Sequence, residues 1–219
     1  MSADGPTVSA RPAAQMQPSV ERSRADPCTM VIFGALGDLS RRKLLPGIYQ
    51  LMKEHLVDDD FSVLGVGRDE GQTDDTFRAH IRAALSESDD VGGVDDALWQ
   101  DLCGRLHFVS ADLSNPDDYV TIRKRLEEIE RGRPPEQCSR LFYFAVPPSV
   151  FEPIARNVSK SGLAPRTRTP DERPWTRIVI EKPFGRDLES AQRLNDLVLG
   201  LFGEHQTYRI DHYLGKETV

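Results

Sequence analysis

Hydrophobic and polar positions alternate between two periods along most of this chain. Residues 30–33 are a short, wholly apolar run of the kind that forms a strand buried on both faces. Leu44, Ile48, Leu51, Met52 and His55 then recur at the three- and four-residue spacing of a helix. The alternation continues. Residues 61–66 predict a second strand, with a helix around 75–85 and a shorter one near 95–104 after it. Residues 106–109 predict a third strand, and 117–130 a charged surface helix that Asn115-Pro116 begin as cap and first turn. Strands over 141–146, 177–180 and 207–210, separated by helices over 149–160 and 188–202, complete the pattern.

Strands that alternate with helices pair in parallel through right-handed crossovers. The expected fold is therefore α/β, a Rossmann-like doubly wound and mostly parallel sheet with helices on both faces. Residues 1–26 mix Pro6, Pro12 and Pro18 with Ser, Ala, Gln and Arg and hold few large apolar side chains, so a disordered tail is expected there and one domain over 27–219. Residues 162–174, with Pro165, Pro170 and Pro174, read as a mobile connector, and residues 89–95 with Gly92-Gly93 as a second loop.

Composition narrows the function. The net charge of -7 and the pI near 5.3 argue against a nucleic-acid surface, since the best basic cluster is only Arg41-Arg42-Lys43. No apolar run reaches the roughly 20 residues that span a bilayer, and the first residues lack a secretory core, so a cytoplasmic setting is expected. Cys28, Cys103 and Cys138 are far apart and read as unpaired thiols. His55, His80, His107, His205 and His212 lack metal-ligand spacing, so no metal site is predicted.

Directly after the first strand comes Gly34-Ala35-Leu36-Gly37-Asp38-Leu39-Ser40. Glycines at a strand-to-helix turn let backbone N–H groups approach a pyrophosphate, and the helix N-terminus adds partial positive charge. A tight turn capped by Asp38 or Ser40 would look the same in sequence. The second strand runs into Gly67-Arg68, where dinucleotide folds meet the adenosine ribose; a cation there suits a 2′-phosphate, an acid a free hydroxyl. Arg68 points to NADP, while Asp69 beside it leaves dual use open and a solvated loop arginine remains the bland alternative. Asp112-Leu113 and Ala145-Val146-Pro147-Pro148 follow two further strands and sit where they could wall the coenzyme rings.

Glu181-Lys182-Pro183-Phe184-Gly185 closes the fifth strand, and the X-Pro bond could be cis in such a corner. Lys182 is placed to hold coenzyme and substrate together; a strand stopped by proline with a surface lysine is the alternative. Arg209-Ile210-Asp211-His212-Tyr213-Leu214-Gly215-Lys216-Glu217 then gathers an acid, an imidazole, a phenol and cations in one short segment suited to a small anion.

Together the glycine turn, the Glu-Lys-Pro-Phe-Gly block and the nine-residue block resemble the glucose-6-phosphate dehydrogenase family from about residue 29 onward. The resemblance implies oxidation of D-glucose 6-phosphate to 6-phosphoglucono-1,5-lactone with NADP, the first step of the oxidative pentose phosphate pathway. It implies that residues 34–40 cradle the NADP phosphates, Arg68 meets the 2′-phosphate, and Asp112, Leu113 and Ala145 line the cleft. Lys182 would touch both ligands, and His212, Tyr213 and Lys216 would bind the sugar phosphate. Asp211 would orient a general-base histidine that the family carries in a second, α+β domain. That domain and most of the homo-oligomer interface are expected to be missing here, so this polypeptide is expected to be inactive alone. A non-catalytic NADP-binding module and half of a split enzyme are the competing readings.

Overall fold

The structure, a computed structural model, describes residues 24–185 and 187–210. Among them the strands β1 (Cys28–Phe33), β2 (Ser62–Gly67), β3 (Leu106–Ser110), β4 (Ser139–Phe144), β5 (Thr176–Glu181) and β6 (Thr207–Ile210) form one sheet in the order β3-β2-β1-β4-β5-β6. Each neighbouring pair is parallel. β1 and β2 are buried along their whole length, which is why they carry apolar runs with little polar alternation.

Successive residues of β1 feed opposite layers. Met30 and Ile32 face a core made with α1 (Leu45–Lys53), α2 (Asp74–Ser86) and α3 (Asp96–Gly104), through Tyr49, Phe77, Ile81 and Trp99. Val31 and Phe33 face a second core made with α4 (Asp118–Ile129), α5 (Pro148–Lys160) and α6 (Leu188–Leu201), through Tyr119, Ile122, Ile154 and Val198. Each fully buried aliphatic or aromatic side chain contributes roughly 1.5–3 kcal/mol. Helices thus cover both faces, as expected from the sequence.

Short polar side chains set where helices start. Thr73 accepts from the Thr76 N–H at 3.2 Å while Thr76 Oγ1 accepts from the Thr73 N–H at 2.8 Å, so α2 opens on a reciprocal cap. Asp95 and Asp187 accept from Leu98 N–H and Ser190 N–H, both at 2.8 Å, for α3 and α6. β3 lies at the sheet edge, and α2 closes it: Asp74 Oδ1 accepts from the Phe108 N–H at 2.8 Å, and Arg78 Nε donates to the Leu106 carbonyl at 3.1 Å. Further strand addition there is blocked.

Four expectations need correction. His55 lies beyond α1 at φ 55°, because the helix stops at Lys53, and Leu51 is 43% exposed while Leu45, Pro46, Ile48, Tyr49 and Met52 are buried. Asn115 and Pro116 form a turn ahead of α4, in which Asn115 Oδ1 accepts from the Asp117 N–H at 3.2 Å, and the helix begins two residues later than the Pro. Arg24 and Asp26 are exposed but held by hydrogen bonds: Arg24 Nε donates to the Val57 carbonyl at 2.7 Å, and Arg173 and the Trp175 indole both donate to Asp26. Residues 1–23 lie outside the described residues.

The fourth correction concerns residues 162–174, which are anchored. Leu163 and Ala164 are buried, and the side chain of Gln206, 1% exposed, ties the loop to the start of β5. Its Oε1 accepts from the Thr167 and Gly203 N–H groups at 3.0 and 2.9 Å, and its Nε2 donates to the Pro165 carbonyl at 2.9 Å and to Thr176 Oγ1 at 2.7 Å. A buried amide with both ends satisfied fixes backbone that carries no regular structure. Nearby, Arg140 in β4 and Glu130 at the end of α4 form a two-pronged buried ion pair at 2.9 and 2.6 Å.

Candidate functional site

The strand order reverses between β1 and β4, so their carboxyl ends flank a crevice of the type that receives ligands in open α/β sheets. Gly34 stands at its head with φ +84°, a left-handed conformation that favours glycine. A Cβ there would lie 2.4 Å from the Ala145 carbonyl oxygen and 3.0 Å from Val146 Cγ1. Ala145 N–H in turn donates to the Phe33 carbonyl at 3.0 Å, which closes the two strand ends together. The Gly37 N–H and Ser40 Oγ both donate to the Gly34 carbonyl, at 2.9 and 3.1 Å, and the chain enters a π-helical turn over Ser40–Leu44 before α1.

Neither of the capping alternatives is realised. No side chain caps the turn at Leu39; Ser40 is committed to Gly34, and Asp38 pairs with Arg42 at 2.7 Å and Arg41 at 3.7 Å. Ala35 is fully buried and Leu36 lies over Gly67, 3.7 Å from where its Cβ would be, so these two side chains pack into the α1–α3 layer. Only their backbone can meet a phosphate. Gly65 makes room for this: a Cβ there would sit 2.9 Å from Ala35 Cβ and 2.6 Å from Phe77 Cζ.

Arg68 follows β2 and is exposed. Asp69 is tied locally, its N–H donating to Ser110 Oγ at 3.3 Å and its Oδ1 accepting from the Gly71 N–H at 3.0 Å. Across the turn after β3, Ser114 Oγ and N–H donate to Asp112 Oδ1 at 2.7 and 2.9 Å. Those bonds, with the Arg68 charge, hold the Asp112 carboxyl below the usual carboxylate range. Leu113 packs into the α4–α6 layer, and its carbonyl accepts from the Tyr119 hydroxyl at 2.9 Å.

At the other side of the crevice Lys182-Pro183 is cis, and the Lys182 N–H donates to the Ile210 carbonyl at 3.3 Å. Gly185 rests on the start of α6, where a Cβ would come within 2.5 Å of the Ala191 nitrogen. Leu39, Phe144, Ala145, Val146, Pro147 and Lys182 line one cleft of about 250 Å³. The glycine turn, Ala145 and Lys182, far apart in sequence, are therefore brought together. Sequence reasoning missed the Tyr143 hydroxyl, which donates to the Glu181 carboxylate; burial and that carboxylate raise the phenol's pKa. Its signal was a polar aromatic in the apolar second half of β4, one strand away from an acid.

Asp211, His212, Tyr213 and Lys216 lie outside the described residues. β6 ends at Ile210 in register with Glu181, so the strand delivers residue 210 beside Lys182. Among the described residues no group of three His, Cys, Asp or Glu side chains could hold a metal ion, and no helix is long and apolar enough to cross a membrane. Cys28 is buried and its thiol is pushed up to about 12 by desolvation, which makes it an inert core residue.

Comparison with known proteins agrees with this geometry. The family described as "Glucose-6-phosphate dehydrogenase, NAD binding domain" matches residues 31–219. The chain is 38% identical over 193 residues to a glucose-6-phosphate 1-dehydrogenase of Chlamydia muridarum, covering 88% of this chain and 38% of the relative. It is 40% identical over 196 residues to that of Aggregatibacter actinomycetemcomitans, covering 90% of this chain and 38% of the relative. Among solved structures it is similar to a glucose-6-phosphate dehydrogenase in complex with its substrate glucose-6-phosphate, with a TM-score of 0.75, 30% identity, and coverage of 89% of this chain and 38% of that one. The enzyme from Mycobacterium avium gives a TM-score of 0.71 at 31% identity, covering 86% and 37%. The chain thus spans little more than a third of the length of these relatives. With its glycine turn, its reversed strand order and its Lys182 corner converging on one crevice, the chain belongs to the glucose-6-phosphate dehydrogenase NAD-binding domain family.

Proposed function

We propose that this chain binds NADP across the β1/β4 crevice and forms the coenzyme-binding part of an enzyme that oxidises D-glucose 6-phosphate to 6-phosphoglucono-1,5-lactone. The observation that carries this reading is the meeting of Leu39 from the glycine turn, Ala145 and Lys182 at one cleft, with Gly34 packed against Ala145. Backbone from Gly34 to Ser40 cradles the phosphates, with Gly34 left bare so that the chain can pass Ala145. Arg68, exposed at the end of β2, binds the 2′-phosphate. Asp112 and Leu113 shape the adenosine side, and the apolar Val146 and Pro147 exclude water from the reacting end. When bound, the coenzyme supplies the nicotinamide ring that accepts hydride.

Lys182 holds the sugar ester beside that ring, together with His212, Tyr213 and Lys216, whose phosphate contacts use cationic and hydroxyl donors. Asp211 orients a general-base histidine contributed from outside this sequence. The histidine takes the proton of the sugar's 1-hydroxyl as hydride leaves C1, a role worth typically about 10²- to 10⁴-fold. Free thiols at Cys28, Cys103 and Cys138 suit a reducing, cytoplasmic compartment.

Asp69 favours a second reading, in which NAD is used as well, because a carboxylate at this turn can accept from a free ribose hydroxyl. Calorimetric titration of the chain with NADP and with NAD separates the two. A strong preference for NADP, lost in Arg68→Ala, supports NADP alone; comparable affinities support dual use. No saturable binding of either coenzyme would end the proposal.

A further inference from the structure

A second basic pocket lies at the opposite ends of β5 and β6, about 20 Å along the strands from the crevice. Arg166, Thr167, Arg168, Gly203, Glu204 and His205 line an open cavity of about 540 Å³. Among the described residues neither Arg166 nor Arg168 has a carboxylate within ion-pair distance; the only bond of the Arg166 guanidinium is a long one, 3.4 Å, to the Gly200 carbonyl. The nearby acids are committed elsewhere. Glu172 accepts from the Arg168 backbone N–H at 2.8 Å, and Glu204 is held by Arg209 at 2.9 and 3.4 Å.

Several exposed arginines have acid partners, as with Arg42–Asp38, Arg82–Asp96, Arg156–Glu152 and Arg193–Glu189, whereas Arg166 and Arg168 stand together at one cavity without an ion pair among the described residues. Their backbone is fixed. Gln206 bonds the Thr167 N–H and the Pro165 carbonyl, and Thr167 Oγ1 pairs with His205 Nε2 at 2.8 Å, so the stretch that carries both arginines is organised before any ligand arrives. Planar guanidinium groups two residues apart match the oxygens of adjacent phosphoryl groups.

We propose that this pocket binds a diphosphate- or triphosphate-bearing small molecule, at a site separate from the coenzyme crevice. The assignment rests on Arg166, Arg168 and the anchored loop, and it stands whether or not the crevice binds NADP.

The test is a titration of the isotopically labelled 219-residue chain, presaturated with NADP, by inorganic pyrophosphate and separately by ATP, followed through backbone amide shifts. Saturable shifts at Arg166 to Arg168 and His205 are expected with both probes, and Arg166→Gln/Arg168→Gln should weaken them at least tenfold while leaving the melting temperature and the amides of Gly34 to Ser40 unchanged. Tighter binding of ATP would identify a nucleotide, and equal binding the polyphosphate itself; both support the site. Shifts confined to Gly34 to Ser40, or affinity untouched by the double substitution, would overturn it.

Discussion

A Cβ atom placed on Gly34 would sit 2.4 Å from the carbonyl oxygen of Ala145, so the crevice between β1 and β4 is closed to any residue but glycine at that point. The φ of +84° excludes other residues a second time. Gly34→Ala should therefore cost at least about 2 kcal/mol, from left-handed strain and overpacking together. It should also push the strand ends apart and weaken coenzyme binding by more than the loss of stability explains. Urea unfolding and coenzyme titration on the same variant check both; a variant as stable and as tight as the parent would contradict this account.

Gln206 should matter far more than its place in a loop-to-strand junction suggests. Replacing it with Leu strands the Thr167 and Gly203 N–H groups in a buried setting. Each unsatisfied group costs about 1–3 kcal/mol. A fall in unfolding free energy of at least about 2 kcal/mol is expected, with residues 162–174 becoming the first site of limited proteolysis. Unchanged proteolysis at that loop would count against the anchoring role.

Breaking the Arg140–Glu130 pair from one side leaves a buried guanidinium uncompensated. Glu130→Ala is expected to lose about 3–5 kcal/mol, whereas Arg140→Met with Glu130→Leu should lose much less, because no charge is then stranded. A double-mutant cycle of Glu130→Leu, Arg140→Met and the two together, by chemical denaturation, measures the coupling, and single losses that simply add in the double variant would show that the pair is not coupled.

The fold should be less stable in mild acid, and His107 should be one reason. Burial lowers its pKa below 6.5, against the opposing pull of Asp74, and Arg125 and Arg78 lower it further. A base whose native pKa is depressed is held neutral in the fold while the unfolded chain takes up a proton. Its contribution is therefore complete above pH 6.5 and is lost as pH falls from there toward the native pKa. Asp74 acts later: burial opposes its ionisation, but the Phe108 N–H and Arg125 outweigh that and lower its pKa, so its contribution is lost only below about pH 3.8. His107→Phe should flatten the decline in urea midpoint between pH 7 and pH 5; an unchanged slope would assign the acid sensitivity to other groups.

The sequence made the architecture legible because the strands carry short apolar runs, as at residues 30–33 and 178–180, and the helices between them are periodic. The strand-like run at residues 207–210 matches β6, and the parallel, doubly wound architecture follows from the alternation of strands and helices. His55 misled because the helical spacing of Leu44, Ile48, Leu51 and Met52 runs on past a helix that is only nine residues long. Residues 162–174 misled for the opposite reason. Proline and arginine content signals the absence of regular structure, but anchoring comes from Gln206, a residue more than 30 positions away whose role no local pattern reveals.

The same division holds at the site. Gly34, Gly37 and Lys182 could be singled out because backbone approach and a charged strand end leave marks in sequence. That Ala35 and Leu36 turn inward could not, since it depends on Gly65 and Gly67 of the neighbouring strand making room for them. The Tyr143–Glu181 bond beside Lys182 likewise needed the register of β4 against β5.

The central claim is that the glycine turn after β1 and the Lys182 corner after β5 hold one dinucleotide between them. Backbone amide shifts of the labelled chain on saturation with NADP test it most directly. The account predicts the largest changes at Gly34 to Ser40, Ala145 and Lys182, with Arg68→Ala lowering the affinity at least tenfold, which corresponds to about 1.4 kcal/mol. Saturable binding that moves residues on one side only, or that leaves Gly34 to Ser40 untouched, would contradict it.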